Sequence, residues 1–113
     1  MAPDLHAMID RTARLRAASA GAGSSEALLE EIEDALCAGY AEALTGDAWS
    51  MRTEQRLREL VDDVLTATGG RELRAVAKEH ARFQGELVAL RRHLAELRHD
   101  RDRLRAALPV SSA

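Results

Sequence analysis

The chain has 113 residues, of which 46% are hydrophobic and 31% charged, so it fits one small domain. Its formal net charge of −3 excludes a protein that is strongly basic or strongly acidic as a whole. The single cysteine, Cys37, excludes an intramolecular disulfide and favours a reducing cytoplasm. No stretch approaches the ~20 apolar residues that span a bilayer, and the first residues do not resemble a signal peptide. We therefore expect a cytoplasmic protein without a membrane partner.

Ala, Leu and Arg dominate the chain, whereas it has three aromatic residues and two prolines, one near each end. Since these three residues stand high on helix-propensity scales, the sequence predicts an all-α fold. Fifteen of the sixteen basic residues are Arg, which suggests GC-rich coding and a bacterial source. Residues 1–70 are net acidic and residues 71–113 net basic, so the two parts can attract each other.

Residues 1–18 are predicted to form a short amphipathic helix. Asp4 can serve as its N-cap, and its apolar stripe is formed by Leu5, Met8, Thr12 and Leu15. Residues 19–25 are small and include glycine and serine, so they predict a flexible linker. The first helix could then dock on its own chain or swap between two chains.

Residues 26–70 are predicted to form a helical hairpin. Its first helix covers residues 26–45 and has an apolar stripe beside an acidic face. Gly46 and Asp47 then predict a tight turn or a kink before a second helix at 48–68. Gly69 and Gly70 are the clearest helix breaker in the chain.

Residues 71–108 carry a heptad repeat and predict a long coiled-coil helix of roughly 57 Å at 1.5 Å per residue. Nine of its eleven seam positions are apolar, and His80 and Arg101 interrupt the seam in a way that can set register. The seam residues are Leu73, Val76, His80, Phe83, Leu87, Leu90, Leu94, Leu97, Arg101, Leu104 and Leu108. Residues 109–113, which begin with a proline, predict a disordered tail.

The positions beside the seam predict how this helix pairs. One flank carries Arg91, Arg98 and Arg105, whereas the other is mostly acidic, with members such as Glu86 and Asp100. In a parallel pair each flank meets the opposite flank of the partner, so this pattern favours a parallel homodimer. The acidic stripe of helix 26–45 is a competing partner within the same chain, and the sequence leaves this choice open.

A second face of the long helix is made of small residues. It comprises Ala75, Ala81, Gly85, Val88, Ala89 and Ala95. Glycine in a solvated helix costs ~1 kcal/mol relative to alanine, so Gly85 predicts close approach by another helix. We therefore expect residues 71–95 to lie inside a bundle and residues 96–108 to project from it.

The sequence offers little for catalysis. Its four histidines and Cys37 lack metal-ligand spacing, and the acidic residues near Glu30 lack the companion histidine motif of a di-iron bundle. No phosphate-binding loop is present, and no Ser, His and Asp set can be placed together. We therefore expect no catalytic site, metal site or cofactor. Cys37 reads as a small buried residue, with a reactive thiol as the alternative.

The sequence therefore predicts a binding protein. We expect an adaptor or regulator, such as one linked to transcription, that dimerises through the coil and binds another protein. Candidate partner contacts are the outward Arg92, His99 and Arg103, and also Trp49, for which an anchor between the two helices of the hairpin is the main alternative. A nucleic-acid-binding regulator and a structural assembly component are the alternative functions. Nucleic acid is less favoured because acids interrupt the Arg-rich run and no aromatic residues interleave with it.

Overall fold

A computed structural model describes residues 2–21, 25–63 and 67–108, with the backbone alone for 67–69. It contains three helices, α1 (His6–Gly21), α2 (Glu26–Asp62) and α3 (Ala67–Ala107). All regular structure in the described residues is helical, which confirms the all-α prediction. The molecule is a rod of 70 × 25 × 16 Å.

Helices α2 and α3 form a long antiparallel hairpin. Ion pairs join Glu33 to Arg105 and Asp47 to Arg91. A step forward along α2 from Glu33 to Asp47 therefore matches an equal step back along α3 from Arg105 to Arg91. The tight contacts of Gly39 with Leu94 and of Gly46 with Phe83 and Leu87 fix which residues of the two helices lie at the same level, whereas the long arginine side chains reach along α3 to their acids.

The predicted seam of α3 is buried within a single chain. Phe83, Leu90 and Leu97 are at most 1% exposed, and they share one core cluster with residues of α1 and α2. The heptad repeat thus identified the buried face of α3, whereas Leu73, Val76, His80, Arg101 and Leu108 are half-buried. The seam packs against helices of its own chain, which is the intramolecular alternative to a homodimer seam. A homodimer stays a prediction, and it would need another surface.

The predicted turn at Gly46 is wrong, because α2 runs unbroken from Glu26 to Asp62. Gly46 is a buried helical residue, and a Cβ atom on it would lie 3.0 Å from Cζ of Phe83 and 3.1 Å from Cδ1 of Leu87. The missing side chain lets α3 approach α2 closely. Gly39 has the same role, since a Cβ there would overlap the side chain of Leu94.

The predicted break at Gly69 and Gly70 is also wrong. Helix α2 ends at Asp62, and α3 begins at Ala67, so both glycines lie in the first turn of α3. The backbone N–H of Asp63 donates to the carbonyls of Leu60 and Val61 and closes the end of α2. The hairpin is therefore made by α2 and α3 in full and not by residues 26–70 alone.

Helix α1 begins at His6 and continues to Gly21, past the predicted end at residue 18. Its buried face includes Thr12 and Ser19, whose hydroxyl groups donate to the carbonyls of Ile9 and Arg16 at 2.8 Å. These bonds satisfy two polar groups that would otherwise be costly to bury. The predicted linker is therefore shorter at its N-terminal end. Ser25 caps α2, because its side chain accepts a hydrogen bond from the backbone N–H of Leu28. Residues 22–24 and 109–113 of the predicted linker and tail lie outside the described residues.

Helix α1 runs parallel to α3 along its acidic flank. His6 Nε2 lies 3.2 Å from Glu86 Oε1, and Arg16 pairs with Glu96 and approaches Asp100. We call this flank of α3 the acidic edge (Glu79, Glu86, Asp100) and the opposite flank the basic edge (Arg91, Arg98, Arg105). The basic edge faces acidic residues of α2, so the two edges sort α1 and α2 to opposite sides of α3.

The projecting end of the molecule is the reverse of the one predicted. Polar contacts of α3 with α1 and with the segment before it extend from Glu79 to Arg103, so residues 96–103 lie beside α1 and do not project alone. Residues 53–62 of α2 and 70–78 of α3 extend beyond these contacts as a two-helix tip. Near this tip, a hydrogen bond from Arg56 to Glu72 and the charge of that carboxylate raise the pKa of Arg56.

Candidate functional site

The face of the hairpin opposite α1 is a candidate interaction surface, which we call the open face. It is formed on α2 by the row Tyr40, Leu44 and Met51 and on α3 by the row Ala81, Val88 and Ala95. Leu44 and Met51 lie three and four residues from Asp47, which contacts the basic edge, so they share its side of α2. Tyr40 and Cys37 line a groove together with Arg98 and Arg101 of α3.

Exposed large hydrophobic side chains are concentrated on this face. Val61 lies two heptads beyond Asp47, and Val88 lies three residues before Arg91, so helical periodicity places both on the open side. Within the described part of the chain, the large hydrophobic residues that stay exposed are Tyr40 (39%), Leu44 (69%), Met51 (70%), Val61 (55%) and Val88 (57%). Single exposed apolar residues are ordinary, but a row of them on one face marks an interaction surface.

The two rows of the open face differ in side-chain size. The α2 row carries large side chains, whereas the α3 row is small, with Ala81 and Ala95 on either side of Val88. Gly85 is exposed next to this row, and a Cβ on it would meet no atom within 4 Å. The close approach predicted for Gly85 is therefore not made by the described part of its own chain. The open face thus has a ridge on one helix and a shallow surface on the other.

A polar cluster surrounds the seam interruption at His80. Its Nε2 lies 3.0 Å from Ser50 Oγ, which also accepts a hydrogen bond from Gln84 Nε2. Glu54 Oε1 lies 3.8 Å from the same ring nitrogen. A catalytic triad needs the carboxylate on the other ring nitrogen and an accessible hydroxyl, but Ser50 is only 4% exposed. The cluster therefore satisfies polar groups inside the hairpin and lacks triad geometry.

Trp49 lies in the middle of α2 and packs that helix against α3. Its ring meets Phe83 edge-on at a centroid distance of 4.7 Å and stacks on His80 at 6.3 Å. It is half-buried and touches the hydrophobic core. Because α2 is continuous, Trp49 does not lie at a junction between two helices. Its contacts are nevertheless those of an internal anchor.

The other predicted partner contacts do not form one site with Trp49. Arg92 and His99 are exposed on the outside of α3, and neither makes a hydrogen bond or ion pair within the described chain. Arg103 lies on the side of α1, with its guanidinium 3.5 Å from both the Ser19 carbonyl and Asp100. Sequence reasoning missed the row on α2 because the predicted turn at Gly46 divided it. The helical spacing of Tyr40, Leu44 and Met51 is the sequence signal that could have identified this row.

Metal binding and membrane insertion find no support in the described residues. Within residues 2–21, 25–63 and 67–108, no three His, Cys, Asp or Glu side chains are placed to hold a metal ion. None of the helices described there has the length and apolar character to cross a bilayer. Cys37 is exposed, against the expectation of a buried residue.

No family model matches the chain, and no curated protein or solved structure matches it either.

Proposed function

We propose that this protein is a non-enzymatic, cytoplasmic adaptor or regulator whose open face binds another protein chain. The observation that carries the proposal is the position of the exposed large hydrophobic residues, which share one face of the hairpin. The opposite face is already covered by α1 of the same chain. A face left uncovered beside one that is well packed is typical of a binding surface.

The size of the apolar row supports binding of useful affinity. Fully burying a side chain such as Leu or Met is worth about 1.5–3 kcal/mol. Leu44, Met51 and Val88 are each more than half exposed, so covering them contributes about 1–2 kcal/mol per residue. Three such contributions offset a substantial part of the entropy lost on association, which is about 4–15 kcal/mol.

Nucleic-acid binding is less favoured by the arrangement of the basic edge. Arg91 and Arg105 pair with Asp47 and Glu33 of α2, so their charges are already compensated within the chain. Among the described residues Arg98 has no acidic partner, but continuous phosphate contacts would require the other arginines of this edge as well. In the described part of the chain Tyr40 is the one exposed aromatic residue, so successive bases would find no series of rings to stack on.

The proposal can be tested with a photo-crosslinking amino acid placed at Leu44 in the native host. Ala17, which is exposed on α1, provides the matched control position. We expect covalent adducts to a protein from position 44 and none from position 17. Equal labelling from both positions, or no adduct from position 44, would contradict a binding role for the open face.

A further inference from the structure

We infer that the occupant of the open face is a second copy of this chain, related to the first by a two-fold axis parallel to the hairpin. The inference rests on the proposed function, because it names the partner that the open face binds. It replaces the predicted coiled-coil seam as the surface of a homodimer, since that seam is filled within one chain.

Side-chain size selects this axis. A two-fold axis that runs along the hairpin places α2 of the partner over α3 and leaves the levels of the residues unchanged. By the register that the contacts of Gly39 with Leu94 and of Gly46 with Phe83 and Leu87 set, the partner's Leu44 then lies level with Val88, and the partner's Met51 lies level with Ala81. The large row of each copy therefore covers the small row of the other. A two-fold axis across the hairpin would instead stack α2 on α2, with large side chains opposed.

Charge selects the same axis. Asp47 and Glu33 of α2 lie within reach of the side chains of Arg91 and Arg105 of α3, as their ion pairs show. With the parallel axis, each arginine lies near the matching acid of the partner as well as its own. With the perpendicular axis, the acidic residues of the two α2 helices would approach one another, which disfavours that pairing. Arg98, which makes no ion pair within the described residues, lines a groove with Tyr40 of its own chain, and the parallel axis brings the partner's Tyr40 to the same level for a cation–π contact.

The dimensions of the open face suit a stable dimer. From Glu33 to Val61, α2 extends for about 42 Å at 1.5 Å per residue. Two helices packed about 10 Å apart give a face about 20 Å wide, so each copy offers roughly 800 Å², the share of one partner in a standard interface. Gly85, beside which the described residues leave open space for a Cβ, lies next to the path of the partner's α2.

The mass of the full chain in solution tests the inference. Sedimentation equilibrium from micromolar to submillimolar concentration should give twice the chain mass of 12.3 kDa. The double substitution Leu44→Glu, Met51→Glu should raise the dimer dissociation constant by at least about a hundredfold. The matched control, Ala13→Glu with Ala17→Glu on exposed positions of α1, should leave the dimer intact. Far-UV circular dichroism must show equal helix content in all three proteins.

Cysteine pairing tests the geometry. In a Cys37→Ser background, chains with Leu44→Cys are mixed with chains with Val88→Cys and then oxidised. We expect a mixed disulfide between the two chains and no dimer linked through position 44 alone. A monomer at every concentration, or a link between two copies of position 44, would overturn the inference. Adducts from position 44 to a different protein would then preserve the proposed function, whereas their absence would refute both.

Discussion

Glycine-to-alanine substitutions offer a direct test of how α2 packs against α3. Alanine in place of glycine in a helix interior stabilises the helix by about 1 kcal/mol, wherever the residue points. Gly85 has open space around it, so Gly85→Ala should show this gain in full, about 1 kcal/mol. Gly39 and Gly46 face Leu94 and Phe83, which are at most 1% exposed and cannot move into solvent.

The added methyl group at Gly39 or Gly46 therefore overpacks the core, at a cost of about 1–3 kcal/mol. After the propensity gain, both variants should lie about 1–3 kcal/mol below Gly85→Ala in free energy of unfolding. Urea unfolding followed by circular dichroism measures this difference. The Leu44→Glu, Met51→Glu background removes any contribution from association. If Gly39→Ala proved as stable as Gly85→Ala, α3 would not approach α2 at this level, and the in-chain hairpin would be wrong.

Three further predictions concern the core, the polar cluster and the ion pairs. Phe83→Ala should destabilise the protein by about 3–5 kcal/mol in urea unfolding, because the ring is 1% exposed, and half-buried Leu73 should tolerate alanine with a smaller loss. Equal losses at the two sites would contradict the position of the core. Ser50→Ala should lower the free energy of unfolding by about 1–3 kcal/mol, because it removes the oxygen that accepts a hydrogen bond from Gln84. An unchanged midpoint of urea unfolding would argue against that hydrogen bond. A double-mutant cycle of Asp47→Asn and Arg91→Gln should give a coupling of about 0.2–1 kcal/mol that falls as salt is added; a coupling insensitive to salt would speak against this exposed pair.

The buried face of α3 was predictable because burial leaves a local periodic pattern. Phe83, Leu90 and Leu97 recur at heptad spacing, and each is buried. Their partner was not predictable from that pattern, since a seam looks the same whether it pairs with its own chain or with another. The basic edge shows the same ambiguity, because Arg91 finds an acidic residue in either arrangement.

The open face was hidden by the interpretation of one residue. Glycine is a residue typical of turns, so the sequence predicts a turn at Gly46. Its actual role depends on Phe83, which is far away in sequence and fills the space that a side chain at position 46 would take. Rules that use only neighbouring residues in the sequence cannot predict that contact. Once α2 is continuous, Leu44 and Met51 fall into one row, and their exposure becomes informative.

The two oppositely charged edges of α3 also choose the handedness of the bundle. A helix can lie in either of the two grooves of a hairpin, and the two arrangements are related approximately as mirror images. In the groove that α1 occupies, Arg16 meets Glu96 and Asp100, whereas the other groove would place it beside arginines. Charge therefore discriminates between two topologies that hydrophobic burial alone would leave close in energy, and it keeps the ridge of α2 uncovered.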